Sequence, residues 1–415
     1  MPLPVKTIIK SRGLIDGLGG PVELDMAIVV EAGRILSIDR QSEISVLEDE
    51  SHVIEYPTAT VLPGLIDCHT HTNMPGSGLS VDEISEDNDS IHLLNAVRNA
   101  RLALENGVTT MRDNGGWNNV PFALKNGITN GIIPGPRVLT CGNPITVTGG
   151  HCWMMGGEAD GVDAVRHTVR RLIKDGADFI KVMTSGGGTR GTSSSRASYT
   201  PQEIQAIVNE THNHGKLVGG HAIATQAIAN CIDAGVDMII HCSFMEPDGF
   251  LKFDPELGEQ IASSEIWVNP TLFVGKSRML GLESLAQHKE LSLAEYLDLE
   301  SSKRDMDQRM NISRLMLEAG IKIIAGSDCG WSAYEFGKFG LELDSLVEAG
   351  MSIPEALIAS TRNAADSVGL LNEIGTIEPG KVADLLVVQG DPAQRIDALT
   401  EIVQVFQRGQ EILRR

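Results

Sequence analysis

Two imidazoles set two residues apart, His69 and His71, close the run Val61-Leu-Pro-Gly-Leu-Ile-Asp-Cys-His-Thr-His-Thr72. An apolar run of this kind predicts a fully buried strand, and residues two apart on a strand share a face. Both rings would leave the strand end side by side, spaced to share one cation. His-x-His alone is common by chance. Four more ligand types follow, each near the end of its own expected strand: Lys181, His221, His241 and Asp328. Imidazoles with a carboxylate are borderline ligands suited to zinc. A single histidine at a strand end is more often a hydrogen-bonded structural residue. The set as a whole points to a metal-dependent hydrolase.

The elements that must position these groups are regular. Strand-like runs end at residues 72, 113, 140, 184, 221, 241, 271 and 328, making eight. Helical patterns lie over 91–106, 163–174, 201–214, 224–234 and 291–319, and Gly107, Gly176, Gly215, Gly235 and Gly320 follow them as stop signals. Repeated βα units of this number predict an α/β fold, a (β/α)8 TIM barrel with its active site at the C-terminal ends of the strands. Short β-rich runs at Thr7–Lys10, Met26–Glu31 and Arg34–Asp39, and again at Ala383–Val388 and Ile402–Gln407, predict a small β-sandwich built from both chain ends. The expected division is 1–62 and 376–415 in the sandwich and 63–375 in the barrel.

Lys181 lies in the apolar run Phe179-Ile-Lys-Val-Met-Thr184, where a cation is costly to bury. A snorkelling or ion-paired lysine is the plain alternative to a chemically engaged one. The loop Gly186–Tyr199 comes directly after it and should lie over the site. Its Arg190, Arg196 and Tyr199 are candidates to bind a substrate carboxylate, which arginine matches bidentately. A phosphate cradle at Gly186-Gly-Gly188 is not supported, since no Gly-Lys-Ser/Thr follows. His212 and His214 fall in the last turn of a helix, where positions two apart do not face each other, and are expected to be structural.

Bulk properties narrow the partners. With 415 residues, 42% hydrophobic and 21% charged, the chain is long enough for a large core, and its net charge of −21 argues against a nucleic-acid surface. No apolar run reaches the ~18 residues of a membrane span, and the first residues show no secretory pattern. The six cysteines sit next to candidate site residues or in apolar runs, and are expected as reduced, buried groups in a cytoplasmic protein. A homo-oligomer is expected.

Taken over nearly its whole length, the chain resembles the amidohydrolase superfamily. The matching stretches are Pro63-Gly-Leu-Ile-Asp-Cys-His-Thr-His71, Lys181, His221, His241, Gly326-Ser-Asp328, and Ile374–Val388 with Gly390-Asp-Pro392. Thr148-Gly-Gly-His151 and Lys181–Gly188 are similar to the imidazolonepropionase-related branch that contains prolidase-like dipeptidases. Imidazolonepropionase is mononuclear and lacks the lysine, so Lys181 favours the peptidase side.

The resemblance implies two divalent ions, with zinc expected: His69, His71 and Asp328 on one, His221 and His241 on the other. Lys181, carboxylated to a carbamate, would bridge them. It implies attack by a metal-bound hydroxide on an amide C–N bond, with Asp328 shuttling the proton and His151 holding the carbonyl or oxyanion. The expected substrate is an Xaa-Pro dipeptide. Alternatives are a dipeptide with C-terminal Arg or Lys, a cyclic amide or a deaminase substrate, or a non-catalytic scaffold.

Overall fold

The alternation of buried apolar strands with Gly-terminated helices produces a closed barrel in the computed structural model, which describes residues 6–44 and 51–412. Met1–Val5, where a secretory pattern was sought, lies outside those residues. The chain begins with β1 (Lys6–Leu14), β2 (Glu23–Glu31), β3 (Arg34–Arg40) and β4 (Ser51–Pro63), then enters the barrel with β5 (Leu65–Thr70). Next come β6 (Val108–Asp113), β7 (Arg137–Thr140), β8 (Ile180–Met183), β9 (Val218–Ala224), β10 (Met238–Met245) and β11 (Trp267–Asn269). The chain ends with β12 (Leu385–Gln389), β13 (Ile402–Gln407) and β14 (Gln410–Ile412).

Strands β5–β6–β7 form one parallel sheet and β8–β9–β10–β11 another. Two seams join them into a ring. At one, Ile145 beyond β7 bonds β8, its N–H donating to Lys181 O at 2.8 Å and its carbonyl accepting from Met183 N at 2.8 Å. At the other, residues 322–329 lie between β11 and β5 as the eighth strand. Ile324 N donates to Val268 O at 2.9 Å, and Asp328 N donates to His69 O at 2.7 Å. This last strand is irregular because Gly326 is pressed against its neighbour: a Cβ there would meet His69 N at 2.8 Å.

Both chain ends build the second layer, a seven-stranded sheet in the order β14-β13-β12-β4-β1-β2-β3. It curls over a core of Ile9, Ile28, Val61, Leu385 and Phe406, each such buried aliphatic contributing about 1.5–3 kcal/mol. Gly380 N bonds Ile35 O at 2.8 Å, tying its far edge back to the segment before β12. Strand β4 runs on to Pro63 and pairs there with Leu385, while Ile377 already packs in this core.

The helices expected from the pattern are present over Asp89–Glu105, Val162–Asp175, Pro201–Asn213, Thr225–Ala234 and Leu293–Glu318. The helix Leu272–His288, which pairs with Leu293–Glu318 beyond β11, was not anticipated. Among the described residues no helix is long and apolar enough to cross a membrane. All six cysteines are buried and free.

Candidate metal centre

Parallel strands carry their C-terminal ends to one rim, and β5 and the eighth strand are hydrogen-bonded neighbours there. His69 and His71 from the first therefore meet Asp328 from the last. The two Nε2 atoms are 3.3 Å apart, and Asp328 Oδ1 lies 3.4 Å from His69 Nε2 and 3.5 Å from His71 Nε2. Among the described residues these three offer ligand atoms all within 4.8 Å of one another. Asp67 holds the two strands together, its buried carboxylate accepting from Ser327 N at 2.9 Å, Ser327 Oγ at 2.6 Å and His69 N at 3.1 Å. Asp67 lies inside the Pro63–His71 motif, and its clamping role emerges only from the fold.

His221 on β9 and His241 on β10 stand across the rim with ring centroids 4.5 Å apart, and His241 lies 5.6 Å from His69. Lys181, fully buried on β8, completes the ring of expected ligands. His151, from the loop after β7, packs 4.6 Å from His221. Four of the imidazoles are oriented through one ring nitrogen, which fixes the face each turns to an ion. His71 Nδ1 bonds Gly115 O at 2.9 Å, His241 Nδ1 bonds Thr271 Oγ1 at 2.6 Å, His221 Nε2 bonds Gly186 O at 3.0 Å, and His151 Nδ1 bonds Thr189 Oγ1 at 2.8 Å.

Backbone strain gathers at the same rim. His241, Thr271 and Asp328 have φ values of 70°, 51° and 57°, a left-handed conformation that costs about 1–3 kcal/mol per non-glycine residue and persists where the surroundings enforce it. The register of β10 against β9 breaks after His241, and this irregularity turns the imidazole into the barrel mouth.

Electrostatics keep the imidazoles in the neutral form that ligates. Burial, then the Lys181 charge, pushes His71 and His151 down to about 3. His69, His221 and His241 are also held well below the ordinary range, burial again leading. Burial draws the Lys181 amine down towards neutrality against the opposing pull of Asp328, and lifts the Asp328 carboxyl.

The fit to a metal can be tested on atoms without partners. His69 Nδ1, Lys181 Nζ and Asp328 Oδ1 are buried and take no aligned hydrogen bond. Such orphaned groups cost about 1–3 kcal/mol each; an unpartnered Asp328 oxygen within 3.5 Å of two imidazole nitrogens fits a cation, and the trio's donor set fits zinc.

The substrate-side expectations fare unevenly. Tyr199 is corrected: its ring packs in the barrel core and its hydroxyl donates to Ala159 O at 2.8 Å, away from the centre. Arg190 is 91% exposed and faces Asp82 at 4.0 Å, and Arg196 is exposed on the same loop. The loop itself does close on the site, where a Cβ on Gly187 would meet His151 Nε2 at 2.6 Å. Trp331, after the eighth strand, was missed; its ring stands 5.4 Å from His71 and 6.3 Å from His151 as a partly exposed wall. His212 and His214 pair with Asp237 at 2.9 Å and Glu210 at 3.5 Å, away from the rim.

A closed barrel with these residue types at its C-terminal rim defines a class, and sequence comparison agrees. The amidohydrolase family profile matches residues 60–412, and the chain belongs to that family. The ochratoxinase of Aspergillus niger is 27% identical over 429 residues, spanning 95% of this chain and 83% of its own length. The crystal structure of a Xaa-Pro dipeptidase with bound methionine in the active site is similar at a TM-score of 0.86 and 27% identity, covering 98% of this chain and 99% of that one. That of a putative prolidase from Bifidobacterium longum is similar at 0.81 and 28% identity, covering 99% and 95%. The resemblance read from the motifs thus extends to prolidase-type members, and the chain is a hydrolase by family.

Proposed function

We propose that this chain is a binuclear metallohydrolase of amide C–N bonds, a dipeptidase of the Xaa-Pro type. The observation that carries the reading is a buried, partnerless Lys181 amine set among four neutral imidazoles and Asp328. A neutral amine can take up carbon dioxide, and the resulting carbamate would supply the oxygens that a second ion needs. His69, His71 and Asp328 would hold one ion, and His221 and His241 the other. Divalent ions, zinc by the donor set, would polarise a carbonyl and lower the pKa of water towards neutrality.

The chain's own groups do the rest. Asp328, lifted by burial, takes a proton and returns it to the leaving nitrogen. His151, fixed through Nδ1 by Thr189, presents its other edge to the carbonyl oxygen. The likeness to prolidase-type structures supports the Xaa-Pro preference.

Metal analysis combined with profiling on Xaa-Pro, Xaa-Arg and lactam libraries tests the proposal. About two ions per chain with Xaa-Pro cleavage is the expected result. One ion with full activity would overturn the bridging arrangement.

A further inference from the structure

Arg309 carries a guanidinium on the second helix of the hairpin that follows β11. It lies on the helix Leu293–Glu318, three residues after buried Met306 and four before buried Ser313, so it shares their inward face. This helix packs against Leu272–His288, which leaves the rim directly after Thr271, the partner of His241. A Cβ on Gly275 would meet Met306 Sδ at 3.8 Å. Arg309 is one turn nearer the barrel than that contact, level with the end of β11. Leu251 N donates to Gln308 Oε1 at 3.2 Å, tying the same turn to the loop that follows β10.

The surrounding cations are all engaged. Arg278 pairs with Asp298 at 2.8 Å, Lys303 with Glu283 at 3.4 Å, and Arg304 with Asp305 at 2.9 Å. Asp305, the acid one turn before Arg309, is thereby occupied. Among the described residues Arg309 itself makes no hydrogen bond or ion pair, although it is only partly exposed. An arginine kept half-buried without a partner leaves a planar, two-pronged donor unused, and a carboxylate fills that donor bidentately.

We propose that Arg309 is the receptor for the substrate's free carboxylate, on the β11 side of the centre. The inference rests on the dipeptidase reading and assigns the role that the Gly186–Tyr199 loop was expected to fill.

The test uses the metal-loaded protein with Arg309→Met and Arg309→Lys, on dipeptides and their C-terminal amides. Metal content and circular dichroism are followed in parallel. Arg309→Met should lose roughly 10- to 150-fold in kcat/KM on the dipeptides, the range of a hydrogen bond to a charged group, with the amides far less affected. Arg309→Lys should recover part of the loss, and if Arg309→Met does not fold, reduced acid-over-amide preference in Arg309→Lys carries the test. Equal losses on acids and amides, or none on either, overturn the proposal. Should the wild type cleave no dipeptide, the dipeptidase reading fails by itself. Calorimetry with free proline, methionine and arginine against their amides then decides for Arg309. A preference for the acids that disappears in Arg309→Met upholds it, and no such preference overturns it.

Discussion

The two halves of the candidate centre are built differently. His69, His71 and Asp328 come from two strands hydrogen-bonded to each other, with Asp67 clamping them, and their ligand atoms already meet at 3.3–3.5 Å. His221, His241 and Lys181 come from three successive strands, β8 to β10. Each histidine of that set is steadied by a loop or helix-start group, Gly186 O or Thr271 Oγ1, and the lysine by nothing. The first half is preorganised by the sheet. The second needs whatever lies between its members to complete it. Ladder hydrogen bonds fix a site that two neighbouring strands share, while a site spread over several strand ends depends on its supporting contacts.

The largest expected effect comes from removing the member that has no partner. Lys181→Ala should take turnover to background and metal content from about two ions per chain to about one, the survivor held by the trio. Short carboxylates should restore part of the activity by standing in for the proposed carbamate. Retention of both ions, or rescue by amines and not by carboxylates, would remove the distinction between the halves.

Asp328→Asn attacks the preorganised half. With metal still bound, it should lower turnover by about 10² or more, the usual worth of general acid–base catalysis. Near-normal turnover in a metal-replete variant would move proton transfer to another group.

Thr271→Val removes the side-chain bond that orients His241. It should weaken one ion by roughly 10- to 100-fold, the common cost of losing such support, and that ion should leave first during graded chelation. Equal loss of both ions would mean that the halves are not independent. The smallest effect is expected from Arg190→Ala and Arg196→Ala. Exposed substitutions of this sort shift free energies by about 0.5 kcal/mol at most, or about twofold in dipeptide kcat/KM. A larger loss in either would bring the Gly186–Tyr199 loop back into carboxylate recognition.

What could be read in the sequence follows from range. The barrel was legible because each strand is a short apolar run ended by a turn signal, and the grouping of His69 and His71 with Asp328 because they occupy the ends of neighbouring strands. Tyr199 was misplaced because closeness in sequence to Lys181 stood in for closeness in space; its aromatic ring had a better place in the core, with Ala159 O for its hydroxyl. Arg309 and Trp331 reach the rim from a helix hairpin and from a loop after the eighth strand, and no periodicity encodes that approach. Thr271 was likewise invisible as a partner, since its role depends on a left-handed turn with φ of 51°. Asp67 carried a signal in principle: a carboxylate within a fully buried strand must find donors, and Ser327 and His69 provide them.

The placing of the thiols has a consequence for metal selectivity. Cys68, Cys152, Cys242 and Cys329 each stand one residue from His69, His151, His241 and Asp328, and all four are fully or nearly fully buried. Their thiols are kept protonated by burial. Along β5 the faces alternate, so a slip of one residue would bring Cys68 and Thr70 to the rim in place of His69 and His71. A mouth with a sulfur in place of one imidazole would favour softer ions over borderline ones. Strand register here therefore sets more than packing: the Asp67 clamp and the ladder between His69 and Asp328 also decide which element of the periodic table the barrel would accept.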